Sequence, residues 1–330
     1  GVQLLLQVMQ DLVAVEHLGQ AAVGLAAFAD GGEELAVLQL DAVHRHGHAG
    51  DVDRLLLAVD QVVIAGDVGA VVADVAEEGP QRPVVVEAQR QGADGTTEWV
   101  KENNIEHTLS DQNIGICKAL NQASILAKTK YICYFNDDMY ALPGWDYHLV
   151  KEIESIGHQN FFISSTMIEP KPGNDLNILQ GHDFGDLGSF NEKELVQAFK
   201  GLHMDNWNGA SWPPNVVPRS LWDKVGGYSD EFSPGMYSDP DFSMKLWAEG
   251  VRYFKGIGES KVYHFMSKST GKIVKNDGRK TFIQKWKISP GYFYKNMLKM
   301  GKTWKGPLKE PRKGLLYIGM KIKVFYKSLF

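Results

Sequence analysis

Two short stretches of this sequence bring carboxylates together in ways that could do chemistry. "YICYFNDDM" (131–139) ends an apolar run in Asn136, Asp137 and Asp138. Adjacent carboxylates repel, and burying them without a partner is costly. A divalent cation resolves that conflict: Mg²⁺ and Mn²⁺ prefer oxygen ligands, and Mg²⁺ is commonly held by one or two carboxylates plus substrate phosphates. The other reading of the same residues is a polar turn with two exposed acids. "MYSDPDFSMKLWAEG" (236–250) sets Asp239, Pro240 and Asp241 ahead of an amphipathic run. Such residues suit a helix start, with Asp as cap, Pro in the first turn and acids near the positive end of the dipole. The same dipole would hold Asp239 ionised and ready to take a proton.

These stretches need elements to position them. Ile116, Leu120, Ala123 and Ala127 follow a helical spacing and predict one buried helix face. "YICYF" (131–135) reads as a strand, 146–157 as a helix and "FFISSTMI" (161–168) as a second strand. Residues 169–215 are rich in Gly, Asn, Asp and His, with a helix predicted at 191–200, and so long a polar stretch suits a binding region. A helix is predicted at 240–249, pairing Phe242 with Leu246 and Lys245 with Glu249 and stopping at Gly250. Strands at 251–255 and 261–265 follow, the second carrying His264. This alternation predicts an α/β fold with a mainly parallel sheet flanked by helices, its ligands at the carboxyl ends of the strands.

Composition divides the chain. Residues 1–95 carry 4 Arg against 15 acids and contain no Lys, Ser, Thr, Asn, Tyr, Trp or Cys. Residues 96–330 carry 31 basic and 25 acidic side chains and all eight tryptophans. Ser and Lys are among the commonest residues, so their absence over 95 positions points to a different origin for the first segment. Within it, "LLLQVMQDLVAVEHLGQAAVGLAAF" has helix-compatible spacing. "VVIAGDVGAVVAD" (62–74) has half of a dinucleotide-binding fingerprint without its third glycine, a feature that admits a nucleotide-dependent oxidoreductase as a distant rival. Cys117 and Cys133 lie in apolar stretches without metal-type spacing and are expected to be buried free thiols of a reducing compartment. No spanning helix and no signal peptide are expected.

"NIGICKALNQASILAKTKYICYFNDDMYALPGW", then "VGGYSDEFSPGMYSDPDFSMKLWAEG" and "VYHF", together resemble glycosyltransferase family 2 over roughly residues 94–290. The resemblance implies a GT-A fold and metal-dependent, inverting transfer of a sugar from a nucleotide-diphosphate sugar, with Mn²⁺ or Mg²⁺ as cofactor. It implies that Asp138 binds the metal bridging the diphosphate, that Asp137 lies near the ribose or the metal shell, and that His264 completes the metal site. Asp239 would be the general base, with Ser238 standing where the family commonly has Glu. Asn113, Gly115 and Asn121 match a helix beside the donor site. The family's opening strand–helix–strand unit is absent, its place taken by the atypical first segment. Glu87 falls two positions early for the acid that usually precedes the "DGT" turn.

Acceptor recognition is expected between metal motif and base, where Trp212 could stack on a sugar ring and Arg219 pair with a phosphate or carboxylate. Asp241 is a further acceptor-binding candidate, and core packing is the competing reading for the tryptophans. The acceptor would be a glycan or a lipid-linked saccharide. Residues 295–330 hold ten basic side chains against Glu310, with aromatics interleaved. They suit peripheral contact with an anionic membrane or a solvated tail, placing the protein in the cytoplasm or at the inner membrane face. No nucleic-acid partner is expected, because no recognised module accompanies this local charge. The chain divides on this reading into 1–95, a GT-A-like domain at 96–290, and the tail at 291–330. The rival to an enzyme is an inactive relic that binds sugar or a partner protein.

Overall fold

The computed structural model describes residues 107–329 apart from 111–113, 128, 137, 187–188 and 267–275, together with Lys101 and the strand segments 23–28, 35–40, 62–63, 70–74 and 88–89. The expectations for Asn113, Asp137 and Glu87 fall outside the described residues. So does most of the helix-compatible stretch near the start, but Val23–Phe28 within it is a strand, paired antiparallel with Leu35–Leu40.

One eight-stranded sheet organises the described residues. Its strands are β1 (Ala70–Asp74), β2 (Tyr131–Asn136), β3 (Met139–Ala141), β4 (Phe161–Glu169), β5 (Ile178–Gln180), β6 (Trp207–Asn208), β7 (Asn215–Pro218) and β8 (Tyr253–His264). The spatial order is β6-β8-β4-β7-β2-β1, with β5 on β4 and β3 on β8. β8 runs parallel to β4, and the short β7 lies antiparallel to both β4 and β2. The long strands β2, β4 and β8 therefore share one direction and end on the same side, as strand–helix alternation leads one to expect. With β7 threaded between them and β1 antiparallel on β2, the sheet is mixed. The fold class is α/β.

Strand periodicity explains why these apolar runs are continuous. On β2, Tyr131, Cys133 and Phe135 enter one core while Ile132 and Tyr134 enter the other; Phe161 and Ile163 of β4 face the first and Phe162 the second. All nine residues of β4 are buried. A strand covered on both faces has no position where a polar residue would meet water. The first core is closed by α2 (Trp145–Ile156) through Trp145, Leu149 and Ile153, and by Leu195 of α3 (Glu192–Ala198). The second is closed by α1 (Ile116–Leu126), α4 (Arg219–Val225), α5 (Ser238–Ala248), α6 (Gly278–Trp286) and α7 (Leu315–Leu329). Cys117 and Cys133 are free and buried.

Three local expectations need correction. The two strands predicted at 251–255 and 261–265 are one strand, β8, interrupted by an irregularity between Ile257 and Lys261. An insertion of this kind accommodates the glycines of "GIGES" without ending the ladder. Lys245 does not pair with Glu249: it donates to Gly227 O and Ser229 Oγ, and Glu249 pairs with Lys224 at 2.7 Å. The helix carrying Asp239 begins at Ser238, with Tyr237 at its cap in the left-handed region (φ 68°), so Asp239 lies inside the first turn and is not the cap.

Phe162 is fully buried and packs edge-on against Phe242 and Phe254. Phe162→Ala should cost about 3–5 kcal/mol in a urea unfolding measurement, whereas Ile125→Ala, at a residue 78% exposed, should stay within about 0.5 kcal/mol of the parent.

Candidate active site

The register of the sheet builds the first half of the site. Tyr263 of β8 aligns with Ile168 of β4, which sets His264 beside Glu169, while β3 pairs Met139 with His264 and draws in Asp138. The backbone amide of Phe265 donates to Asp138 O at 2.9 Å and locks this turn. His264 then stands between two carboxylates: Nδ1 donates to Glu169 Oε1 at 2.7 Å, and Nε2 lies 3.2 Å from Asp138 Oδ2. Burial alone would lower the His264 pKa, but the charges and hydrogen bonds of Asp138 and Glu169 prevail and hold it up to about 10.

This donor set could hold a divalent cation once His264 Nε2 gives up its proton, because a ligating imidazole is neutral. Glu169 fixes one ring nitrogen, leaving Nε2 to face the Asp138 carboxylate, the arrangement in which a carboxylate orients a ligating imidazole. Among the described residues no cluster of three or more His, Cys, Asp or Glu side chains is arranged to hold a metal. Two protein ligands nonetheless match an ion that keeps waters and takes substrate phosphates. Asp138 and His264 are thus brought together across 126 positions of chain. Glu169 escaped the sequence analysis. Its one signal is that it is the only acid in "FFISSTMIE", at the terminus of a strand that is otherwise all apolar or hydroxyl side chains.

The second half of the site surrounds Asp239. Its Oδ1 accepts a 3.0 Å hydrogen bond from the Tyr228 hydroxyl. Tyr228 is itself held by Asn121, whose amide donates to Tyr228 O at 2.7 Å and accepts from Tyr228 N at 2.8 Å. Gly227 permits that clasp: it sits at φ 57°, and a Cβ there would come 2.2 Å from Asn121 Oδ1. The Tyr228 ring stacks on Phe242 at 4.7 Å and meets Tyr134 of β2 edge-on at 5.8 Å. Solvent still reaches Asp239 as a residue, while protein atoms crowd its carboxyl. That crowding raises its pKa to about 7, and the Tyr228 hydrogen bond offsets only part of the rise. The expectation that the helix terminus would keep Asp239 firmly ionised therefore gives way to desolvation.

The charge of Asp239 reaches Tyr294, whose ring leads on toward the metal motif. Tyr294 is half-buried, and the crowding of its hydroxyl by protein, followed by the charge of Asp239, pushes that hydroxyl well above the usual range. Its ring lies 5.7 Å from that of Trp212, which packs on the core facing α2. Trp212 precedes Pro213, Pro214 and Asn215, and Asn215 pairs with Tyr134, so Trp212 lies at the carboxyl end of β2, where Asp138 follows.

Two acceptor-binding candidates are placed elsewhere. Arg219 follows Pro218, which pairs with Tyr131 at the start of β2, so it sits a strand length of about 20 Å from the Asp138 end. There its Nε donates to Thr129 O at 2.7 Å. Asp241 is fully buried, with Ser229, Lys285 and Trp286 bonded to its carboxylate oxygens. Its oxygens are satisfied within the protein, so it ties α5 to α6 and offers nothing to an acceptor.

The Asp138–His264 pair thus stands at the strand ends of the α/β sheet, and Asp239 is a crowded carboxyl in the first turn of α5. In the comparison with protein families, residues 84–209 match glycosyl transferase family 2. The match includes Asp138 and Glu169 and ends before Asp239 and His264. No curated protein matches the chain. Among solved structures, "GalNAc-T7 with UDP, GalNAc and Mn2+" aligns with TM-score 0.42 and 11% identity over 63% of this chain and 44% of that one. The chain thus spans less than half of that protein's length.

Glu169→Gln should weaken Mn²⁺ binding by about 10–100-fold in calorimetric titration, because the neutral amide no longer orients the imidazole as a carboxylate does. Asp239 holds its proton up to about 7 when folded but only to its ordinary 3.8 when unfolded, so stability is lost as pH climbs between those values. Asp239→Asn cannot ionise. It should match the parent near pH 4 and exceed it at pH 8 by roughly 2 kcal/mol, less than the full linkage because solvent reaches the residue, as read from urea midpoints.

Proposed function

We propose that this protein is an inverting, metal-dependent glycosyltransferase of GT-A architecture that moves a sugar from a nucleotide-diphosphate sugar to a hydroxyl of a glycan or lipid-linked acceptor. The observation that carries this reading is Asp239: a crowded carboxyl with its pKa near 7, oriented by Tyr228 and linked through Tyr294 and Trp212 to the strand end that bears Asp138. A general base works best when its pKa lies near the operating pH. The family 2 match over residues 84–209 supports the class of reaction.

In this reading Asp239 accepts the proton of the acceptor hydroxyl as that oxygen bonds to the anomeric carbon. The bond from that carbon to the diphosphate oxygen breaks, the leaving group departs with the electron pair, and a single displacement inverts the configuration. Tyr228 keeps one Asp239 oxygen engaged, which leaves the other to face the acceptor. Trp212, at the Asp138 end of β2, offers an aromatic surface for a sugar ring. Asp138 and His264 would hold Mn²⁺ or Mg²⁺, which when bound supplies positive charge for the departing diphosphate. Asp137 is proposed to lie near the ribose or the metal.

A panel of nucleotide sugars with Mn²⁺, assayed for release of nucleoside diphosphate, tests the proposal. Turnover with at least one donor is expected, falling about 10²–10⁴-fold in Asp239→Asn. In the parent, kcat/KM should rise about tenfold per pH unit up to a plateau near pH 7, because the base works ionised. Absence of turnover with every donor would return the chain to the inactive relic that binds sugar or a partner protein.

A further inference from the structure

Helix α7 carries two apolar stripes on opposite sides, and the protein uses only one of them. Tyr317, Met320, Lys321 and Val324 recur at helical spacing and face inward: Met320 and Val324 are buried, Tyr317 meets the Tyr292 ring at 6.0 Å, and Lys321 donates to Lys287 O at 2.9 Å. At 100° per residue, Leu315, Ile318 and Ile322 point half a turn away from that seam. They are 87%, 51% and 53% exposed, and neighbouring Leu316 is 78% exposed. Elsewhere the described residues expose large apolar side chains singly, so this stripe on one helix stands apart.

The charge around the stripe is of one sign. Lys309, Arg312 and Lys313 are exposed just before the helix, and exposed Lys323 flanks the stripe itself. The acid in this stretch, Glu310, is paired with Arg252. A second copy of the chain seated on the stripe would set these cations against their own counterparts. An anionic surface neutralises them. The stripe spans about 12 Å of helix, too short to cross a bilayer, and no helix among the described residues is long and apolar enough to do so. Apolar side chains on one face with Lys and Arg at the margin suit a helix that lies in the plane of a membrane interface.

We propose that α7 docks the protein on an anionic lipid bilayer, burying Leu315, Ile318 and Ile322 among the acyl chains while Arg312, Lys313 and Lys323 meet the lipid phosphates. This surface is distinct from the catalytic residues, so docking and sugar transfer stand or fall separately.

Sedimentation of the full chain with vesicles tests it, comparing pure phosphatidylcholine with phosphatidylcholine containing about one-third phosphatidylserine. The parent should bind the anionic vesicles at least about tenfold more tightly than the neutral ones and release them as salt rises toward about 1 M. Ile318→Ser/Ile322→Ser removes the apolar contact and Lys313→Glu/Lys323→Glu reverses the charge. Each should lose about tenfold or more in vesicle affinity while keeping the parent's thermal midpoint, because these side chains point away from the core. The proposal is overturned if the parent stays in the supernatant with anionic vesicles, or if both double variants sediment like the parent. It is equally overturned if light scattering shows a parent dimer that the isoleucine variant dissolves, since the stripe would then be a self-association face.

Discussion

The hydrogen bond from His264 to Glu169 depends on the register of two parallel strands, and the candidate metal site depends on that bond. At the start of the pair Tyr253 lies opposite Phe161, and Ile257 lies opposite Ser165. Continued without interruption, this register would bring His264 opposite Pro172, beyond the end of β4. The irregularity between Ile257 and Lys261 takes up the surplus, so that Tyr263 faces Ile168 and His264 reaches Glu169. A bulge in the middle of a strand thus re-aims a side chain at its end. Ser260, within the irregularity, is buried and hydrogen-bonded to Trp145 O and Ser165 Oγ, which holds the extra residues in place.

Around Asp239 the balance of forces differs. A carboxyl crowded by protein and served by a single tyrosine hydroxyl is an unfavourable resting arrangement for a charge. Asp241, two residues away, shows the alternative: Ser229, Lys285 and Trp286 satisfy a carboxylate that is wholly buried. The two aspartates of "SDPD" thus occupy opposite regimes. One is fully compensated and ties helices together; the other is left under-served, its pKa raised to the range where it can exchange a proton. Stability given up at one position while its neighbour is fully satisfied is a common signature of a working site.

The second core anchors this local geometry. Tyr228, which orients Asp239, is itself a core side chain stacked on Phe242, and Asn121, which holds Tyr228, sits on a helix whose inner face is packed beneath the sheet. The polar contacts that aim the candidate base are therefore anchored in close-packed material, where side chains have little room to shift. At the far end of the same core, α7 seals Met320 and Val324 and leaves its outer stripe uncovered.

The sequence by itself determined the α/β class, the strand that leads into Asp138, the helix that carries Asp239 and the buried state of both cysteines. Those features follow from period-2 and period-3.6 apolar spacing and from turn residues, all of which act within a few neighbours along the chain. It also brought Asp138 and His264 into consideration together, through a family pattern and not through spacing. Only the tertiary structure decided which carboxylates are available: Asp239 and Asp241 are indistinguishable as neighbours of Pro240, and their difference lies in contacts from residues 228, 229, 285 and 286. It decided likewise that Glu169 joins the site and that Arg219 stands at the other end of β2. Strand register and the antiparallel threading of β7 are long-range facts, set by which strands pair across the sheet, and local residue types do not encode them.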